Sequence, residues 1–138
     1  MVSTDDLMNL LKSEDSYDSV IETAPEFLDL ALSEHLAQII TEKNLKKSEI
    51  IAKSGIERTY AYQLFRGEKT PSRDKLLALS FGMKLTLEET QTLLKVHGYA
   101  QLYAKNKRDS AIIFALNKGQ SLIKLNENLY SISEAIVT

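Results

Sequence analysis

The feature that most constrains this chain is a glycine, Gly55, with short amphipathic segments on both sides. Apolar residues recur around it at helical spacing, at Ile50, Ile51, Ile56, Ala61 and Leu64. That spacing is typical of the inward faces of two packed helices. Glycine adopts a left-handed backbone conformation at little cost, whereas a residue with a Cβ does not. The pattern therefore predicts helices over residues 47–54 and 57–65, joined by a sharp turn.

Two more helices are expected after this pair. In the first, Thr70 is the expected N-cap and Pro71 the first helical residue, because the N–H that proline lacks has no helical partner at that position. Gly82 is expected to end this helix. Residues 86–89 have the Thr-x-x-Glu pattern of a capping box, which opens the second helix, and Gly98 is expected to close it.

The two ends of the chain extend this core in different ways. Residues 1–24 are acidic and rich in Ser and Asp, and a helix over residues 27–43 follows them. Residues 109–118 and 121–130 predict a helical hairpin. Because so short a hairpin is not stable alone, we expect it to pack on the rest of the chain or on another chain. The apolar residues of the tail need the same cover: Ile132, Ile136 and Val137.

Composition and motifs exclude several classes of protein. The 138 residues include no cysteine, which excludes disulfides and thiolate metal sites and fits a reducing cytoplasm. No apolar run approaches the roughly 18 residues of a membrane span, and Met1 is not followed by a signal-peptide pattern. His35 and His97 lack partners at metal-ligand spacing, so each is expected to be structural or exposed. No nucleophile elbow, phosphate loop or paired-carboxylate pattern occurs, so we expect neither an enzyme nor a cofactor.

Charge is segregated along the chain, although its net value is only −2. Residues 1–42 carry a net charge of −9, residues 43–75 of +5, and residues 76–138 of +2. The positive block coincides with the helix pair around Gly55. Phosphate is attracted by local positive charge and not by the balance of the whole chain. The alternative is that these lysines and arginines only solvate a surface.

The segment from about residue 36 to 97 resembles the phage-repressor/Cro group of bacterial regulators, also called the XRE family. The most specific matches are the pair Gly55-Ile56, then Gly67 twelve residues after Gly55, and Pro71 at the opening of the next helix. The resemblance implies an all-α protein built on a five-helix lambda-repressor-like DNA-binding domain. It also implies bacterial transcription control.

Two positions depart from the family pattern. Ile51 stands where the family has a small residue, and Ala61 stands where it has a larger aliphatic one. These positions face each other in the family fold, so the exchange conserves volume, which cores tolerate. The implied organisation is an acidic N-terminal arm over 1–24, the helix-turn-helix domain over 25–98, and a C-terminal helical hairpin over 99–138.

In that family the second helix of the pair enters the DNA major groove. The matching positions that contact base edges are Arg58, Thr59 and Gln63. Arginine suits the O6 and N7 acceptors of guanine, and glutamine suits adenine. Backbone phosphates or groove edges are expected to be contacted by Lys47, Tyr62, Arg66, Lys69 and Arg73.

The function implied is sequence-specific binding of double-stranded DNA by a transcriptional regulator, most simply a repressor that works as a dimer on a palindromic site. The hairpin is the candidate element for dimerisation or effector binding. The rival hypothesis is a protein-interaction module, an adaptor or antitoxin-like partner of a neighbouring enzyme. Three residues of the helix pair favour the rival, because aromatic side chains suit protein interfaces and a carboxylate repels phosphate: Tyr60, Phe65 and Glu57.

The acidic arm admits three interpretations. It is a solubilising tail, a segment that folds on a partner, or an intramolecular DNA mimic that covers the basic helix. The second interpretation depends on an apolar cluster at Leu7, Leu10 and Leu11.

Overall fold

The computed structural model describes residues 31–138, in which the regular elements are all helices and there is no strand. The all-α prediction is confirmed for this range. Residues 1–30 lie outside it, and with them the predicted acidic arm, its leucine cluster and the start of the first helix. The helices in the described range are α1 (Leu32–Glu42), α2 (Lys47–Ser54), α3 (Arg58–Phe65), α4 (Arg73–Gly82), α5 (Leu87–Val96), α6 (Lys107–Asn117) and α7 (Leu122–Ser131).

The helix α4 runs through the centre of the core and packs most extensively against α2. Gly82 is its last residue, as predicted, but the reason is close packing and not a left-handed turn. A Cβ at Gly82 would lie 2.6 Å from the backbone oxygen of Ile50. The left-handed conformation falls two residues later, at Lys84 with φ of 55°. Glycine is therefore needed here so that the backbones of α2 and α4 can approach each other.

The sequence analysis placed the N-cap of α4 at Thr70, two residues before the N-cap in the structure. Ser72 is the N-cap, and its hydroxyl accepts a hydrogen bond from the backbone N–H of Lys75 at 3.1 Å. Pro71 precedes the helix, and its carbonyl accepts a 2.6 Å hydrogen bond from the Tyr99 hydroxyl. Ser is a better N-cap than Thr by residue type, and capping at Ser72 leaves Pro71, whose carbonyl is bonded by Tyr99, outside the helix.

The other predictions of helix ends, from the capping box and from glycines that follow helices, are confirmed. Thr86 and Glu89 form both hydrogen bonds of the capping box, at 2.9 and 3.1 Å, at the start of α5. Gly55, Gly98 and Gly119 each adopt a positive φ just after a helix, at 67°, 80° and 64°. Local sequence therefore sets most of the helix ends.

The C-terminal hairpin packs on the rest of this chain. Helices α6 and α7 contact each other, α6 contacts α5, and α7 contacts α4. Ile112 and Leu125 are fully buried in one core that also includes Leu76. Val137 is buried too, and its backbone N–H and carbonyl both bond the side-chain amide of Asn126, at 2.8 and 3.0 Å. Val137 of the apolar tail thus finds cover within its own chain, whereas Ile136 remains 42% exposed.

Two crossed ion pairs fasten α4 to α6. The Arg73 guanidinium donates to both carboxylate oxygens of Asp109, at 3.2 and 3.0 Å. The Arg108 guanidinium donates to both oxygens of Asp74, at 3.1 and 2.9 Å. Such two-pronged contacts are the most directional ion pairs that proteins form. We call these four residues the α4–α6 clamp.

None of the helices in residues 31–138 is long and apolar enough to cross a bilayer.

Candidate nucleic-acid interface

The turn between α2 and α3 orients α3 by burying one side of it. Gly55 takes the left-handed conformation, and Ile56 directly after it is buried. Ser54 braces the turn, because its hydroxyl donates to the carbonyl of Ile51 at 2.9 Å and accepts from the N–H of Ile56 at 3.2 Å. Ala61 on α3 is fully buried. The opposite side of α3 is therefore turned outward.

Glu57 caps α3 instead of projecting from it. Its carboxylate accepts hydrogen bonds from the backbone N–H groups of Thr59 at 2.9 Å and Tyr60 at 2.8 Å. These bonds lower the pKa of the Glu57 carboxyl, which keeps it ionised. Its negative charge is thus directed to the positive end of the helix, where it is favourable.

Four side chains form a continuous row across α2 and α3. The Lys47 ammonium lies 5.7 Å from the ring centre of Phe65, and Phe65 meets Tyr62 edge to face at 6.2 Å. The Arg58 guanidinium lies 5.8 Å from the ring centre of Tyr62. Each cation is attracted to the face of its ring. The row brings together Lys47, Arg58 and Tyr62, which sequence analysis had assigned to one site, and it adds Phe65 as the support between them.

The remaining predicted residues on α3 and the loop after it differ in availability. Thr59 is exposed at the start of the helix, and Gln63 is half-buried one turn later. Arg66 is exposed but pairs with Glu68, with Nε and Nη2 donating at 2.9 and 3.1 Å. Lys69 is exposed. Because both members of the Arg66–Glu68 pair face solvent, the pair is weak and easily exchanged for another anion.

Arg73 does not join this surface. Besides its two bonds to Asp109, its guanidinium donates to the carbonyls of Ala100 at 3.0 Å and Gln101 at 3.2 Å. Its donors are therefore directed into the chain, and the expected phosphate contact is replaced by an internal one. Burial alone would raise the pKa of the Asp109 carboxyl, but hydrogen bonds from Arg73 and from the N–H of Tyr103 outweigh it and lower that pKa.

The two histidines meet, which sequence analysis did not foresee. His35 Nδ1 and His97 Nε2 share a hydrogen bond of 2.7 Å, although 62 positions separate them. Burial, with a smaller contribution from His97, lowers the pKa of His35 to about 4. Burial lowers the pKa of His97 as well. The pair fits the structural role that was expected of them, and within residues 31–138 no group of three His, Cys, Asp or Glu side chains is arranged to hold a metal ion.

Comparison with known proteins gives no match from which a function could be inferred. No protein-family model matches the chain, and no curated protein or solved structure matches it.

Proposed function

We propose that this protein binds double-stranded DNA through the outward side of α3 and regulates transcription. The observation that carries the proposal is the row of Lys47, Phe65, Tyr62 and Arg58, which sets two cations on a rigid aromatic support beside the exposed start of a helix. Arginine held over an aromatic ring keeps its donor edge free for a base or a phosphate. Within residues 31–138, Arg58 makes no ion pair that would compete.

Different residues of this surface have different roles in the proposal. Arg58 and Thr59, at the helix N-terminus, and Gln63, one turn later, read base edges. Lys47 and Lys69 bind phosphates on either side and set the register of the helix in the groove. Arg66 joins them by exchanging Glu68 for a phosphate. Arg73 does not contact DNA in this proposal, because its guanidinium is bonded to Asp109 within the α4–α6 clamp.

The finer parts of the proposal come from the family resemblance. They are a five-helix lambda-repressor-like arrangement, membership of the XRE family, repression, and action in the bacterial cytoplasm as a dimer on a palindromic site. Two exposed apolar residues of the hairpin, Phe114 and Tyr130, are 53% and 81% accessible and supply a surface for the second copy.

Selection from a pool of random duplexes tests the proposal. Purified protein is used to enrich binding sequences over several rounds, and fluorescence anisotropy then measures affinity for the selected and for a scrambled duplex across a salt series. We expect a near-palindromic site whose affinity falls steeply with salt, by a slope of about −0.9 for each phosphate neutralised. Absence of enrichment together with salt-independent or undetectable binding would refute it.

A protein-interaction module is the second candidate. The observations that favour it are the same exposed apolar residues of α6 and α7, which suit a protein partner as well as a second copy. Co-purification from the native host separates the two functions. A stoichiometric enzyme partner that remains bound at high salt, in a protein that selects no DNA sequence, would favour the module.

A further inference from the structure

A cavity of about 450 Å³ lies on the side of the molecule where α2 and α4 end and the turn between α6 and α7 begins. Its apolar lining comes from three parts of the chain that are distant in sequence. Small-molecule sites in proteins have volumes of about 300–1,000 Å³ and are lined mainly by apolar side chains. The lining includes Phe81, Leu85, Leu116, Leu122 and Ile123.

Two lysines, Lys53 from α2 and Lys84 from the end of α4, stand beside this apolar surface. Their side chains contact each other, and this contact, more than any other influence, lowers the pKa of Lys53. Within residues 31–138 neither lysine forms an ion pair, and the only carboxylate that acts on Lys53 is Glu49, with a weaker effect. Two ammonium groups held side by side repel each other, and an anion between them stabilises both.

A third polar group in the cavity lining lacks a partner. The side-chain oxygen Oε1 of Gln120 is buried and has no hydrogen bond within the described part of the chain, although its backbone N–H donates to the carbonyl of Ala115 at 2.9 Å. Buried polar atoms are nearly always paired, so an unpaired acceptor beside a cavity calls for a donor from outside. The first turn of α7 also lines the cavity and presents its positive end there.

We propose that this cavity binds a small amphiphilic carboxylate. Its carboxylate lies between Lys53 and Lys84, its hydrocarbon body covers Phe81, Leu116 and Leu122, and a hydroxyl or N–H donor on that body pairs with Gln120. The carboxylate and the hydrocarbon body are the parts required for binding, and a donor on the body adds a bond to Gln120. A purely ionic ligand such as inorganic phosphate would leave the apolar lining exposed, and a neutral hydrocarbon would leave the lysines repelling each other. The combination of the two features selects an amphiphile. We call the residues proposed to contact DNA the α3 surface: Lys47, Arg58, Thr59, Tyr62, Gln63, Arg66 and Lys69. None of them lines the cavity, so the ligand site does not depend on DNA binding.

Calorimetric titration of the full chain tests the proposal with decanoate, decanol and inorganic phosphate as probes. We expect saturable decanoate binding that the double variant Lys53→Gln/Lys84→Gln weakens roughly tenfold, the sum of two surface charge interactions. The matched control Lys95→Gln/Lys105→Gln removes two exposed lysines outside the cavity and should bind decanoate as the original protein does. Decanol should bind more weakly and equally to all three proteins.

Three results of the titration would overturn the proposal: no saturable decanoate binding, equal weakening by the two double variants, or displacement of decanoate by phosphate at similar concentration.

The variant Ile123→Glu provides an independent check, because Ile123 is 73% exposed and its replacement leaves the core intact. A carboxylate at that position should repel decanoate and reduce its binding. Amide chemical shifts then show the place of binding, since Gly119 and Ser121 should respond to decanoate in the original protein. Shifts that avoid these two residues would place the ligand elsewhere and also overturn the proposal.

Discussion

Arg58 and Arg73 are each the first residue of a helix, yet the structure uses them in opposite ways. Arg73 opens α4 and directs four donor contacts into the chain, two to Asp109 and two to backbone carbonyls. Arg58 opens α3, is exposed, and lies 5.8 Å from the ring centre of Tyr62, and it forms no ion pair within residues 31–138.

The difference shows that a basic residue in a positive block is available for binding only if the fold does not hold it in a largely buried ion pair. Both arginines lie in the block of residues 43–75 that has a net charge of +5. Asp109, which captures Arg73, lies 36 positions away in the chain and is brought to it only by packing of α6 on the rest of the core. The α4–α6 clamp therefore holds its arginines in internal ion pairs, whereas Arg58 on α3 stays exposed. Matched variants at the two places can be compared.

The largest effect is expected from breaking the clamp. Arg73→Met keeps much of the side-chain length but leaves the Asp109 carboxylate, which is only 10% exposed, without its cation. We expect the free energy of unfolding to fall by about 3 kcal/mol, because the nearly buried carboxylate then loses the cation that donates to both of its oxygens and keeps the N–H of Tyr103 as a donor. The matched variant Arg58→Met should change it by less than about 0.5 kcal/mol. Urea unfolding followed by circular dichroism measures the free energy of unfolding of both variants. Equal losses would show that the Arg73–Asp109 ion pair stabilises the fold no more than the exposed Arg58 does.

The interior also has a pH dependence, which comes from His35. The pKa of His35 is about 4 in the folded protein and 6.5 when unperturbed, so the unfolded chain binds more protons between these values. Stability contributed by neutral His35 is present above pH 6.5 and is lost as the pH falls toward 4. The free energy of unfolding at pH 7 should exceed that at pH 4.5 by about 2 kcal/mol because of this residue. In His35→Gln the difference should shrink by that amount, and an unchanged difference would assign the pH dependence to other groups.

On the α3 surface, Arg58→Ala should lower affinity for the selected DNA sequence by roughly 1–3 kcal/mol, because a base contact is lost. Affinity for random DNA should change less, so sequence preference should relax while stability stays the same. Anisotropy with the selected and the scrambled duplex measures the ratio. A uniform loss on both duplexes would move Arg58 from base reading to phosphate binding.

The smallest effect is expected at Lys69, which is proposed to touch phosphate alone. Lys69→Ala should weaken binding to all sequences alike, by less than about 1 kcal/mol, and reduce the salt slope by about 0.9. Lys105→Ala, an exposed lysine beyond the α3 surface, is the control and should leave the slope unchanged. If both variants change the slope equally, the DNA contact extends past α3 or is nonspecific.

Much of the helical layout could be predicted from the sequence, because helix ends depend on neighbours within about four residues. The turn at Gly55, the capping box of Thr86 and Glu89, and the stop at Gly119 all follow from local hydrogen bonds and backbone conformation. The start of α4 was predicted two residues too early, because proline was expected in the first helical turn although Ser72 is a better N-cap than Thr70 by residue type.

The sequence by itself therefore determined the all-helical character of residues 31–138, the helix boundaries to within a residue or two, and the exposed positions of α3. Only the tertiary structure decided which charges are available, since Arg73 meets Asp109, His35 meets His97, and Lys53 meets Lys84 across gaps of 31 to 62 residues. Helical periodicity encodes contacts one turn apart, whereas these pairs depend on how whole helices pack. No local pattern in the chain specifies that packing.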